Sequence, residues 1–453
     1  MAVEMLRQTT GVVAQERPEF ASLPEILPQR ELLDRYSLST WRSIERLTIP
    51  ETGLIADNIN EHEEITMYTS PTNIGLSLMG VVVARERGII SGQEAKYRLI
   101  HTLKTLGKME KCHGFLCNWY DPETGGVLSR WPANGNLLNP FVSSVDNGWL
   151  AAGLMVVREA ESDCAETANK LLNDMDFSFF YNQNLGLLHG VYRPTSETFE
   201  AWCYAILNTE ARMASYIGIA QKQLPAEHYF RLFRTFLPGH KQKQIPRGHF
   251  ERYLGVEVYE GNYVDKDGVS VVPSWGGSMF EALMPTLLVP EEEWGPTSWG
   301  INHQRYVQAQ VNHGASCHDG WFGYSPCCDP EGGYREFGLW SLGSFCDGYP
   351  CGSKYNPICN ERVITPHALF LAAKYAPNES LWVLTDLERA YPEIYSSNGF
   401  FDAINTSGRV AKTQLALDQL LSFLSGGNEL RAFFAPQVEA ELRPLMEMEA
   451  FNL

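Results

Sequence analysis

Apolar residues recur three and four positions apart through most of this chain, the spacing that places them on one face of a helix. Segments such as "SPTNIGLSLMGVVVARERG", "GQEAKYRLIHTLKTLGKME", "SVDNGWLAAGLMVVREA" and "AKTQLALDQLLSFLSG" show it clearly. Several open on Ser, Thr, Asp or Pro and close near Gly or Pro, as helix ends require. About twelve such segments follow one another, from "RELLDRYSLSTWRSIERL" onward, joined by loops rich in Gly, Asn, Pro and Trp. Period-two alternation is confined to short pieces, "GLLHGVYRP" and "YLGVEVYEGNYV", which suit small hairpins. No short-period repeat of the solenoid kind is present. The pattern predicts an all-α protein. Its economical form is a closed toroid of six helical hairpins, (α/α)6, with long loops and small β-hairpins at one end; a two-domain helical protein is the alternative. Residues 1–30 read as an N-terminal arm and 31–453 as a single domain.

Composition narrows the partners. At 453 residues and 44% hydrophobic content the chain can bury a large core. A formal net charge of −18 excludes nucleic acid or an anionic membrane surface as the main partner and favours a neutral substrate. The 11 Trp and 20 Tyr supply broad apolar faces with polar edges, which suit sugar rings as well as cores. The N-terminal stretch has no basic segment followed by an apolar one, so no signal peptide is expected. The longest apolar run, "IGLSLMGVVVA", stops at Arg85, short of the roughly 20 residues a membrane span needs. A cytoplasmic location is the expectation; the oligomeric state is not legible.

Three acids stand alone in apolar sequence. Asp146, in "NPFVSSVDNGWLAAGLMVV", reads first as a helix N-cap or first-turn acid, and also suits the mouth of a pocket. Glu210 has Ile206, Leu207, Met213, Ala214 and Ile217 at helical spacing, which centres its carboxylate on an inward, apolar face away from Arg212. A Glu there either pairs with a distant base or carries the raised pKa of a general acid. Glu281 follows "SWGG" at the start of a helix, where the dipole favours its ionised form; Pro285 makes that helix short or kinked. A protonated Glu210 and an ionised Glu281 form a plausible acid and nucleophile pair. The small residues Gly276, Gly277 and Ser278 would let a substrate come close.

"LNTEARMASYIGIAQKQLPAEHYFRLFR", followed by "VPSWGGSMFEALMPTLLVPE", resembles the glycoamylase-like domain family. That family includes the cyclising, transglycosylating domain of cyclic β-1,2-glucan synthases, and endo-β-1,2-glucanases are related to it. "YTSPTNIGLSLMGVVVARERGIIS", "FLCNWYDPETG", "FVSSVDNGWLAAGL", "VITPHALFLAAKYAP" and "NGFFDAIN" match in the same order, from Tyr68 to Asn405. The resemblance implies an (α/α)6 toroid with a glycan cleft at its loop end, and acid-based glycosidic chemistry with no cofactor. It makes Glu210 the acid/base, Glu281 the nucleophile or base, and Asp146 a residue that holds sugar hydroxyls or assists. Trp119, Tyr120, Asp121, Trp275, Trp299 and Tyr334 would line the cleft and bind an oligo- or polysaccharide.

The chain departs from the family pattern between Gly314 and Arg362, where six of its ten cysteines crowd together. Cys317, Cys327, Cys328, Cys346, Cys351 and Cys359 suit free thiols, disulfides or, with His318, a metal, although no pair has the C-x2-C spacing of zinc sites. Two other readings stand beside the glycosidase: a non-hydrolytic glycan-binding or polysaccharide-pathway factor, and a metal enzyme built on this loop.

Overall fold

The computed structural model describes residues 29–237, 240, 242, 244–343 and 363–453. The arm expected over residues 1–30 therefore lies, up to residue 28, outside the described residues, as do Cys346, Cys351 and Cys359. The described chain is mostly helical, with short strands paired in small antiparallel sheets. Its helices are α1 (Gln29–Leu47), α2 (Pro71–Glu86), α3 (Gly92–Lys108), α4 (Ser144–Ala160) and α5 (Ala165–Asn173). There follow α6 (Arg212–Ala220), α7 (Glu227–Arg231), α8 (Met279–Leu283), α9 (Glu291–Trp294) and α10 (Trp299–Cys317). The last are α11 (Pro366–Ala372), α12 (Pro377–Ala390), α13 (Ala416–Leu424), α14 (Glu429–Phe434) and α15 (Glu439–Met448). Among the described residues no helix is long and apolar enough to cross a membrane.

Capping residues set several boundaries. The Ser70, Ser91 and Ser143 hydroxyls accept the N–H groups of Asn73, Glu94 and Asp146 at 3.1, 3.1 and 3.2 Å, starting α2, α3 and α4. Pro285 acts as expected: α8 ends after five residues and the chain continues as a 3-10 turn, Met284–Leu287. Two expected helices are much shorter than their patterns. "SETFEAWCYAILNTEARMASYIGIAQ" becomes helical only at Arg212, because its first half pairs as strands: Thr198–Phe199 with Val191–Arg193, and Cys203–Tyr204 with Leu187–His189. "PAEHYFRLFRTF" keeps only α7, since Phe233 pairs with the backbone of Ala205 and Leu207. Helices α14 and α15, after Gly427, were not expected. A small hairpin was expected at "YLGVEVYEGNYV"; the hairpin found is longer, Arg247–Tyr253 with Val256–Val264, and its two-residue turn has positive φ at both Leu254 (47°) and Gly255 (83°), the backbone such tight turns need.

One buried apolar cluster runs from Leu32 to Phe451. Within it α2 lies against both α4 and α13, α13 packs on α11, α11 on α8, and α4 on α6. The approach of α2 to α4 depends on glycine. A Cβ on Gly75 would fall 2.3 Å from the Trp149 carbonyl, and one on Gly153 would fall 2.4 Å from the Gly75 carbonyl. This contact brings the N-terminal ends of α2 and α4 side by side, where the Thr72 hydroxyl donates to Asp146 Oδ1 at 2.7 Å.

Candidate active site

Glu210 and Glu281 line one cavity of about 920 Å³. Glu210 occupies the turn before α6 rather than the middle of an apolar helical face, which corrects the spacing argument. The side chain is half-buried, and its Oε2 accepts the indole N–H of Trp149, a ring buried in α4. Glu281 lies in the first turn of α8, where the Ser278 hydroxyl accepts its N–H at 3.2 Å. Its Oε2 accepts the main-chain N–H of Glu210 at 2.9 Å. The two acids, 71 positions apart, are thus joined directly.

Arg212 holds this junction from below. It donates through Nη1 to the carbonyls of Thr209 (2.9 Å) and Glu281 (3.2 Å), and through Nη2 to that of Ala282 (2.8 Å), so it grips the backbone beside both acids. Its guanidinium also meets Glu291 in a fully buried two-point ion pair, at 2.7 and 2.8 Å. Against the cost of burial, Arg212 holds the Glu291 carboxyl well below the usual carboxylate range. Arg212 is therefore committed to Glu291 and these carbonyls, and acts on the cavity acids only through its charge.

Electrostatics pushes both cavity acids the same way. Burial, then the charges of Glu281 and Asp146, drives Glu210 well above the usual range, against the Trp149 hydrogen bond. Burial and the charge of Glu336 raise Glu281 to about 8, against the Glu210 N–H and Arg212. The expected opposition, with a helix dipole keeping Glu281 low, is not found: α8 is too short and its acid too deep.

Glu336 is a third acid in the same cavity, and the reading of isolated acids missed it because Arg335 precedes it in sequence. It reaches the site through backbone packing. Gly277 has φ of +70°, and a Cβ there would fall 2.0 Å from the Leu339 carbonyl; one on Gly338 would fall 1.9 Å from that of Gly276. Gly277 and Gly338 thus let the Glu336–Leu339 loop pack against this turn, while a Cβ on Gly276 would meet nothing within 4 Å. The Glu336 carboxylate accepts a hydrogen bond from Trp275, which also lines the cavity and meets His240 edge-on at 5.2 Å. Trp149 and Tyr204 are further contributors that periodicity alone does not pick out.

The other expected residues are placed differently. Asp146 is the first-turn acid of α4, held by Thr72, and its charge acts on Glu210. Trp119 stands half-buried beside Tyr68 and Trp131, with ring centroids 5.3 and 5.9 Å away, in an aromatic group outside the cavity lining. Asp121 accepts the N–H groups of Glu123 and Thr124 and shapes a turn. Tyr334 is exposed on the strand that precedes Glu336. Two expectations are corrected. Tyr120 is buried, its hydroxyl donating to the Glu110 carbonyl and accepting from Cys117 N–H. Trp299 is buried under Arg212, 4.7 Å from the guanidinium, with its indole N–H on the Tyr229 hydroxyl. Both rings are spent on the core. Cys317, Cys327 and Cys328 are free thiols, and no cluster of three or more metal-binding side chains occurs among the described residues.

Residues 239–433 match the Glycoamylase family model, described as "Putative glucoamylase", and residues 35–222 match a domain described as a protein of unknown function, DUF3131. The chain is 25% identical to the cyclic β-(1,2)-glucan synthase NdvB of Rhizobium meliloti, over 85% of its own length and 17% of the synthase. It is 20% identical to an exo β-1,2-glucooligosaccharide sophorohydrolase of Parabacteroides distasonis, over 84% of its length and 52% of that enzyme. It therefore spans about half or less of these relatives. The endo-β-1,2-glucanase of Chitinophaga pinensis, solved with sophorotriose and glucose, shares the fold: TM-score 0.70 at 18% identity, covering 93% of this chain and 98% of that one.

Proposed function

Because the chain carries a glycoamylase-like domain and is homologous to a cyclic β-(1,2)-glucan synthase, we propose that it is a glycoside hydrolase or transglycosylase acting on a β-glucan. The β-1,2 linkage is the one its relatives point to. The observation that carries this reading is the bond from Glu210 N–H to Glu281 Oε2 inside a cavity that also holds Trp275. Two carboxyl groups held in one cavity by that main-chain bond, beside an aromatic wall, are the equipment glycosidic cleavage needs.

Glu210, whose protonated form is favoured by burial and by the charges of Glu281 and Asp146, gives its proton to the leaving oxygen. Glu281 works as a carboxylate at the anomeric carbon, either attacking it or drawing a proton from water. Asp146 assists from the rim of α4. An (α/α)6 toroid extending over residues 31–453 as one domain is the framework proposed for it. The sequence of contacts from α6 through α4, α2, α13 and α11 to α8 supports that ring, as does Arg212, which bonds α6 to the α8 backbone.

The test is product analysis after incubation with a panel of β-glucans, comparing wild type with Glu210→Gln and Glu281→Gln. Cleavage or transfer of β-1,2-glucan by the wild type, lost in both variants, is expected. A fresh product with the substrate's anomeric configuration identifies Glu281 as nucleophile; the opposite configuration identifies it as base. A wild type inert on every glucan would sink the reading.

A further inference from the structure

The cavity that ends on the three glutamates continues along an aromatic wall that the acid chemistry does not use. Tyr204 joins the two parts. Its phenol lies within the field of Glu210, Asp146 and Glu281, and its ring meets Trp202 edge-on, centroids 5.2 Å apart at 90°. Trp202 is 46% exposed, yet its position is built. Gly190 lies directly against the ring: a Cβ there would come within 1.9 Å of Trp202 Cζ3, so this glycine is what admits the indole.

The long hairpin supplies a second pair. Phe250 is 65% exposed and stands opposite Tyr259 across the two strands, ring centroids 5.0 Å apart. Tyr259 is anchored by its hydroxyl, which donates to the Pro246 carbonyl at 3.2 Å. Trp202, Tyr204, Phe250 and Tyr259 all line the cavity that holds the acids. Exposed rings gathered in this way mark a binding surface rather than a core. Their flat apolar faces match the C–H faces of pyranose rings, while the sugar hydroxyls stay in water. At about 920 Å³ the cavity stands near the top of the roughly 300–1,000 Å³ range of ligand sites, room for several sugar rings.

We infer that Trp202 and the Phe250–Tyr259 pair form a platform for the part of a glucan chain that extends past the cleaved linkage, so that the protein selects long chains over short ones. The inference rests on the glucan reading of the acid site. Both Trp202 and Phe250 are surface side chains whose truncation leaves the core intact.

The test measures kcat/KM on β-1,2-glucooligosaccharides of increasing length and on the polymer, for wild type, Trp202→Ala, Phe250→Ala and Trp202→Tyr. Each alanine variant is expected to lose about tenfold on the longest chains, through KM, while staying close to wild type on the shortest substrate cleaved. Trp202→Tyr should recover most of the loss. An equal loss at every length, or none at any length, in a wild type that cleaves glucan would overturn the platform and leave the acid assignment standing. A wild type that cleaves no glucan overturns both.

Discussion

The Glu281 carboxylate accepts the main-chain N–H of Glu210 at 2.9 Å, so each acid helps to position the other. A glutamine at 281 keeps an oxygen that can accept this bond but loses the charge. Changing either acid to its amide therefore separates chemistry from architecture.

For Glu210→Gln and Glu281→Gln, kcat is expected to fall by about 10²–10⁴-fold, the usual range for removing a positioned acid or base. Circular dichroism and thermal melts at neutral pH should show folded protein. A variant that keeps wild-type kcat on β-1,2-glucan removes that residue from the mechanism.

Glu281 also links stability to pH. Its folded value of about 8 stands above the ordinary glutamate value of 4.5, chiefly because burial disfavours the charge. A carboxyl raised in the folded state stabilises fully below its unfolded value, and that contribution is lost as pH climbs through the folded value. Wild type should thus lose stability relative to Glu281→Gln between about pH 4.5 and pH 8. Denaturant midpoints of both proteins at pH 5 and pH 9 check this. A pH-independent difference would show that Glu281 is not held neutral by the fold.

Glu336 raises Glu281 by its charge and holds the Trp275 indole. Glu336→Gln keeps an acceptor for the indole and removes the charge, so Glu281 should ionise at lower pH. The rising limb of the kcat/KM profile should move to lower pH, with the melting temperature little changed. An unmoved limb would assign Glu336 to Trp275 alone.

Arg212 is a structural residue with a catalytic consequence. Arg212→Met leaves the buried Glu291 with only His303 and the Tyr216 hydroxyl as partners and frees three backbone carbonyls, so the expected loss is about 3–5 kcal/mol of unfolding free energy. Urea titration measures it. Activity of the protein that remains folded should fall too, since Thr209 and Glu281 lose their common anchor.

Much was readable before any coordinates. Spacing and capping residues suffice for α2, α3 and α4 because a helix end is decided by neighbours within three or four positions. Lone acids in apolar sequence pointed to Glu210, Glu281 and Asp146 because an unpaired buried carboxylate is too costly to keep without a use. The same logic passed over Glu336, whose neighbour Arg335 hides it in one dimension although Asp329 takes that arginine at 2.8 Å in three. It also placed Trp299 and Tyr120 in the cleft, since residue type does not say which rings the core will consume.

Contacts distant in sequence decided the rest. Cys203–Tyr204 became a strand instead of a helix because Leu187–His189 offered it a partner. Gly277 admitted the backbone of Leu339. Local pattern names the groups that must do something unusual, because their solvation cost is paid wherever they sit. Which of them meet, and how each shifts the other's proton, depends on pairs such as Glu210 and Glu281 that only the folded chain brings together.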